Sequence, residues 1–201
     1  MSHTNSYLKL GIGAGLTALI TALPATAAAQ EQSTIKNPGA HPDYIVEVEP
    51  HFALAYAPPF DGVGVGGRVN FPVLKNGFIP SINNNVAVGA GLDWVHGNGC
   101  YGFYCRGADS FWVPVVMQWN FFLSPHWSVF AEPGVAIAHA SRSALCAGRD
   151  AFGNPVYVDC GDSVTSPEPV LTVGGRFHVS DRFALTMRVG YPYITLGGSI
   201  M

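Results

Sequence analysis

From Val46 to Tyr56 the chain alternates between two kinds of side chain. Val46, Val48, Pro50, Phe52, Leu54 and Tyr56 hold the even positions, and Glu47, Glu49, His51, Ala53 and Ala55 hold the odd ones. A period of two is that of a β-strand, whose successive side chains point to opposite faces. After Pro58-Pro59-Phe60-Asp61-Gly62 the pattern restarts. Val63, Val65, Val69, Phe71 and Val73 alternate with Gly64, Gly66, Arg68 and Asn70. The spacing predicts two paired strands, over 44–57 and 62–74.

The same alternation continues down the chain and predicts strands over 85–96, 110–123, 127–140, 168–179 and 182–190. The turn signals between them are Asn76-Gly77 with Pro80, Ser124-Pro125-His126, and Ser180-Asp181. Two longer stretches, 97–109 and 141–167, read as loops. Near the end the phase changes. Odd positions are apolar through Tyr191, and then Ile194, Leu196 and Ile200 are apolar at even positions. A one-residue slip turns every side chain to the opposite face, so a break at Tyr191-Pro192 and an eighth strand over 193–201 are predicted. Pro50, Pro72, Pro114 and Pro133 fall inside strands, where each deletes a ladder donor, and β-bulges are expected at all four.

What precedes the strands decides how the alternation is read. Met1 to Lys9 is polar with one positive charge, Leu10 to Leu23 is apolar, and Ala25-Thr26-Ala27-Ala28-Ala29 supplies small residues for cleavage. Residues 1–29 therefore read as a cleaved signal peptide. Residues 30–43 read as a flexible periplasmic leader, with a small plug as the alternative. Residues 44–201 form the one remaining domain. Only 11% of the 201 residues are charged and the formal net charge is −3, so there is no basic surface for nucleic acid. An exported chain of alternating strands predicts an all-β fold: an eight-stranded antiparallel up-and-down transmembrane barrel, apolar outside and polar inside. A soluble lipocalin-like barrel is the inverse alternative, with its apolar face inward and Glu47, Glu49, Arg68 and Arg176 outward.

The alternating segments, the short turns set against long loops, and stretches such as Val173-Gly174-Gly175-Arg176-Phe177 and Met187-Arg188-Val189-Gly190-Tyr191 resemble the small outer-membrane β-barrels of Gram-negative bacteria. The group in question is that of the opacity proteins and the membrane domain of outer membrane protein A. The resemblance covers residues 44–201. It implies an outer-membrane location and contact with outer-membrane lipid. It departs at Gly198-Ser199-Ile200-Met201, where such barrels usually carry an aromatic residue.

The inward-facing positions hold Glu47, Glu49, Asp93 and Glu132 against Arg68, Arg176 and Arg188. Charges withdrawn from water must be paired. Hairpin position predicts Glu49–Arg68 and Glu132–Arg176 pairs, with Arg188 and Glu47 completing a network that plugs the lumen. Outward aromatics are expected as two girdles: Tyr56, Trp94, Phe111 and Tyr191 on the outer side, and Phe71, Phe121, Trp127 and Phe183 on the periplasmic side.

Four cysteines fall as local pairs, Cys100 with Cys105 and Cys146 with Cys160, one pair in each long loop. An oxidising compartment favours disulfides closing each loop on itself. The spacings match no zinc pattern, and neither a metal nor a cofactor is expected. Loop 97–109 adds Tyr101, Phe103 and Tyr104, either as a contact surface or as rings packed over the barrel mouth. Loop 141–167 gathers Asp150, Asn154, Asp159 and Asp162, whose spacing fits solvated turns better than a calcium loop. His139-Ala140-Ser141 is a candidate catalytic pair of a lipid-modifying enzyme, though it has no identifiable orienting acid. The function expected is therefore that of a non-enzymatic envelope anchor, meeting an extracellular or envelope partner through loops 97–109 and 141–167. A narrow porin-like channel or small-ligand carrier and the lipid-modifying enzyme are the alternatives.

Overall fold

The computed structural model describes residues 33–56, 62–101, 104–142, 145–159 and 161–201. The expected signal peptide lies outside them. Ten strands follow in chain order: β1 (Glu47–Ala55), β2 (Gly62–Leu74), β3 (Asn84–Tyr101), β4 (Tyr104–Phe122), β5 (Trp127–Arg142), β6 (Leu145–Arg149), β7 (Pro155–Asp159), β8 (Asp162–Ser180), β9 (Phe183–Tyr191) and β10 (Tyr193–Ile200). Eight close into a barrel in the order β1-β10-β9-β8-β5-β4-β3-β2, while β6 and β7 form a separate two-stranded hairpin. Every neighbouring pair is antiparallel, including β1 with β10, which closes the barrel.

Alternation decides which face each side chain takes. β1 reads buried-exposed throughout, with Glu47, Glu49, His51, Ala53 and Ala55 inside and Val48, Phe52 and Leu54 outside. Phe52 is 72% exposed, whereas Glu47, Arg68, Asp93 and Arg188 are 0% exposed. That distribution is the reverse of a lipocalin and overturns the soluble alternative. The charged side chains are inside and a continuous apolar surface is outside. The phase change near the end is real: β9 stops at Tyr191 and β10 restarts at Tyr193, which turns inward and is fully buried. The Tyr191–Pro192 bond between them is cis.

The aromatic side chains form two belts on the outer surface. At one end Trp94 and Phe111 are partners in register. At the other, Trp127 packs on Phe177 with ring centroids 5.0 Å apart, and Trp119 packs on Phe121 at 4.6 Å. Trp94, Phe111, Tyr56, Phe71, Trp127 and Phe183 are all exposed. From Phe111 to Phe121 along β4 is about 33 Å of strand, and a tilt of about 40° makes this about 25 Å of membrane, the height of an apolar band.

Two sequence expectations are corrected. Stretches 97–109 and 141–167 are not open loops. Their glycines and polar residues hid strand continuations, because β3 and β4 pair all the way to Tyr101↔Tyr104, and β5 and β8 pair to Arg142↔Asp162. Likewise, only Pro72 sits at a bulge. Pro50, Pro114 and Pro133 keep register and fall instead where one of their two ladders skips, beside β10, β3 and β4 respectively. A strand residue aims its N–H at one neighbour only, so a proline costs one bond on one side and needs no bulge.

Candidate functional site: the filled lumen

The inward rows of eight strands meet in a barrel just wide enough for side chains to fill, and they form two storeys. In this barrel the turn end is where β2–β3, β4–β5 and β8–β9 connect and where both termini of the barrel lie. The loop end is the opposite one.

The storey nearer the turn end is charged. Arg188, on β9, sends two guanidinium nitrogens to Glu49 on β1, one of them at 2.8 Å from Oε2, and its Nε to Glu132 Oε2 at 2.8 Å. Glu132, on β5, also accepts from Arg68 of β2 at 3.3 Å, from Thr172 at 2.9 Å and from Gln118 at 2.5 Å. Arg176, on β8, reaches Glu47 at 2.7 Å, Asn120 at 2.7 Å and Gln118 Oε1 at 2.9 Å. Gln118 thus donates to a carboxylate and accepts from a guanidinium, joining the two halves of the network. Phe130 lies between the cations, its ring centroid 4.6 Å from the Arg176 guanidinium and 5.0 Å from that of Arg188, close enough for cation–π attraction. Asp93 is bonded to His51 Nε2 at 2.8 Å and lies 4.0 Å from Arg68.

All seven charged residues expected in the lumen are brought together there, but with exchanged partners. Glu49 and Arg68 do face each other in register, yet Glu49 pairs with Arg188, and Arg68 pairs with Glu132 and donates to the Tyr193 hydroxyl at 2.5 Å. Glu132 stands opposite Thr172 rather than Arg176. Arginine is long, and across a narrow barrel it reaches carboxylates several strands away. Hairpin position therefore predicted neighbours correctly but not partners. The sequence reading also missed Gln118, Asn120 and Tyr193 as members of the network. All three sit at inward parity, which was the only signal available.

The storey nearer the loop end is apolar. Ala53, Ala55, Val95, Val116, Ala136, Ala138, Ala140 and Val170 surround Trp112 and Tyr193, whose rings meet edge-to-face at 6.0 Å. Five alanines leave room for two large rings, and Trp112 is 0% exposed. A hydrophobic core inside a membrane barrel excludes water as a protein interior does. Tyr193 links the storeys through its bond from Arg68.

Residues 33–45 cross the turn end. Thr34 N donates to Leu123 O at 3.0 Å, and Asn83 N to Ile35 O at 2.7 Å. His41 stacks on Phe122 at 4.8 Å, and Asp43 pairs with the exposed Lys75 at 3.0 Å. Tyr44 is half-buried. Withdrawal of its hydroxyl from water, followed by the nearby Glu47 charge, pushes it up to about 12 against the opposing pull of Arg176 and Asn85.

Beyond the loop end the β6–β7 hairpin carries a tight tip. The Asp150 carboxylate accepts from Phe152 N at 2.8 Å, Asn154 N at 2.9 Å and Asn154 Nδ2 at 3.0 Å. Gly153, at φ 82°, supplies the left-handed residue that closes the tip. The bonds from Asn154 hold Asp150 below the usual carboxylate range. Asp150 and Asn154 thus satisfy each other as turn residues. Phe152 is left 89% exposed. Of the candidate contact residues, Tyr101 and Tyr104 are paired in register at the top of the β3–β4 hairpin, and Phe103 lies outside the described residues. Cys100 stands opposite Cys105, and Cys146 opposite Val158. Cys160 lies outside the described residues. His139 is exposed, and its Nδ1 lies 2.7 Å from the Thr165 hydroxyl.

No protein-family model and no curated protein sequence matches this chain. Solved structures of similar fold include those of Ail, the attachment invasion locus protein of Yersinia pestis. The crystal structure in complex with the heparin analogue sucrose octasulfate has TM-score 0.47 and 12% identity, and covers 77% of this chain and 96% of Ail. The crystal structure of Ail without it has TM-score 0.47, 11% identity, and 77% and 95% coverage. The backbone structure in a phospholipid bilayer nanodisc has TM-score 0.44, 12% identity, and 77% and 97% coverage. Identity this low is a likeness of chain path alone. The fold is a closed eight-stranded antiparallel barrel with the architecture of small outer-membrane proteins.

Proposed function

We propose that this protein is a non-enzymatic barrel of a Gram-negative outer membrane, in which a plugged lumen anchors a contact surface outside the cell. One observation carries this reading. The inside of the barrel is occupied by a joined ion network and an apolar core, while one wall runs far past the other. Strands β1, β9 and β10 have 9, 9 and 8 residues, and β3, β4, β5 and β8 have 18, 19, 16 and 19. Crossing a bilayer takes about 9–11 tilted residues. The four long strands therefore extend by roughly 25 Å of chain beyond the membrane at the loop end. With short turns at the other end, the loop end is taken as extracellular.

The tall wall and its hairpin form the surface that meets an extracellular or envelope partner, with Phe152 held out on a preorganised tip. The two cysteine pairs, Cys100 with Cys105 and Cys146 with Cys160, close this surface covalently in the oxidising space outside the cell. The membrane domain belongs with the opacity-protein and outer membrane protein A type of small barrel. Residues 33–45 act as a strap across the periplasmic mouth. For His139, a hydroxyl partner in place of a carboxylate favours the non-enzymatic reading, because an activated serine needs an oriented base.

A short epitope inserted between Phe152 and Gly153 tests the orientation. Antibody labelling of intact cells is expected. Labelling that appears only after the outer membrane is permeabilised would reverse the assignment of the ends.

A further inference from the structure

The outer wall is not uniformly convex. Val129, Gly175, Met187 and Leu196 lie in one hydrogen-bonded row across β5, β8, β9 and β10, and at Gly175 the row is dented. Gly175 has the outward parity of Val173 and Phe177 on either side of it. A methyl group placed there would have Ser128 O as its nearest neighbour, at 3.8 Å. The dent continues into a shallow apolar groove of about 550 Å³, lined toward the turn end by the Trp127–Phe177 pair. His126 and Arg182, both exposed, stand just past this collar on the β4–β5 and β8–β9 turns, with Asp181 beside Arg182. Arg182 is only three residues beyond Leu185, which lines the groove, or about 10 Å along the strand.

We propose that this groove is a binding site for one acyl chain of a phospholipid from the periplasmic leaflet, lying against Gly175 with its phosphate at the level of His126 and Arg182. Three features select that occupant. The groove lies within the lipid-facing band, so what fills it comes from the bilayer. Its lining is apolar along its length, which suits a hydrocarbon chain and offers a sugar or peptide nothing to bond. Its turn-end edge coincides with the aromatic collar that marks the headgroup level, and the exposed Arg182 and His126 beyond that collar can donate to a phosphate. A chain seated in a fixed groove is held longer than lipid on a convex wall, because it is surrounded on several sides and each buried methylene adds about 0.8 kcal/mol.

The site rests on the membrane reading above, and the test separates the two. The mature protein, folded in detergent with palmitoyl-oleoyl-phosphatidylglycerol and then diluted into lipid-free detergent, is weighed by native mass spectrometry, with its folded state checked by the heat-dependent shift of the barrel band on a gel. The unmodified protein is expected to retain one phospholipid. Gly175→Leu fills the dent and is expected to lower retention about tenfold, the order of effect of blocking a small apolar pocket. Gly67→Leu is the control. Gly67 also faces outward, and a methyl group there would meet only Glu49 O, at an ordinary contact distance of 3.7 Å; retention there should not change. A folded barrel that retains no lipid, or an equal loss from both variants, overturns the acyl-chain site and leaves the membrane barrel standing. A chain that gives no folded band in detergent overturns the membrane reading itself.

Discussion

The two storeys of the lumen reach the same end, a filled barrel, by opposite chemistry. In the charged storey Arg188 bridges Glu49 and Glu132, and Gln118 joins that group to Arg176 and Glu47. In the apolar storey alanines from β1 and β5 pack around Trp112 and Tyr193. The first holds β1, β2, β5, β8 and β9 together by long side chains that reach across the barrel. The second is packed by shape, and the bond from Arg68 to Tyr193 ties it to the first. A network of buried charges fails when one member is removed, since the partner is left uncompensated, whereas an apolar core loses only what was taken out and the cavity left behind.

That contrast ranks the expected effects of substitution. Arg188→Met leaves Glu49 without its arginine and takes from Glu132 one of its two, Arg68 remaining, and the predicted loss is roughly 4 kcal/mol, within the range for breaking a buried pair. Urea unfolding in lipid vesicles, followed by tryptophan fluorescence, measures it. A loss below that of the next variant would show that the charges are solvated rather than buried. Trp112→Ala opens a cavity in the apolar storey and is expected to cost about 3 kcal/mol by the same measurement. Phe130→Leu keeps most of the apolar volume and removes the ring between Arg176 and Arg188, and about 1 kcal/mol is predicted, chiefly from the lost cation–π attraction with a small packing loss.

How far the lumen was legible in the sequence follows from side-chain length. Parity alone placed Glu47, Glu49, Asp93 and Glu132 with Arg68, Arg176 and Arg188 on the inward face, and strand phase placed the break at Tyr191-Pro192. Which carboxylate each arginine takes is a matter of distance across the closed barrel, and linear position does not contain it. The apolar storey escaped for a different reason. Ala53 shared the parity of Glu47 and Glu49, but alternation marks an inward position by its polar side chain, and Ala53, Ala136, Ala138 and Ala140 are small and apolar, so nothing in the pattern marked them as a core. The tall wall escaped because 97–109 is rich in glycine and polar residues, which look like loop until their register with a partner strand is known.

The smallest predicted effect lies outside the membrane, at the hairpin tip. Asp150 is held below its ordinary range by bonds from Asn154 and the tip backbone. A carboxylate depressed in the folded state contributes stability that is present above its unfolded pKa, about 4, and lost as the pH falls through the folded value. The tip should therefore be ordered at neutral pH and loosen below about pH 4, seen as lower amide protection at Phe152 and Asn154, relative to the intrinsic exchange rate at each pH, in nanodiscs. Asp150→Asn should show that lower protection already at pH 7, with the barrel amides unchanged.

The central claim is that the lumen is closed by paired charges, and conductance in a planar bilayer tests it most directly. The unmodified protein is predicted to insert without a steady current. Arg176→Ala, which releases Glu47, Asn120 and Gln118 from a common donor, should give brief openings selective for cations, because the Glu47 carboxylate it leaves behind is uncompensated. A steady open-channel current from the unmodified protein, unchanged by Arg176→Ala, would contradict the account and return the barrel to the channel reading.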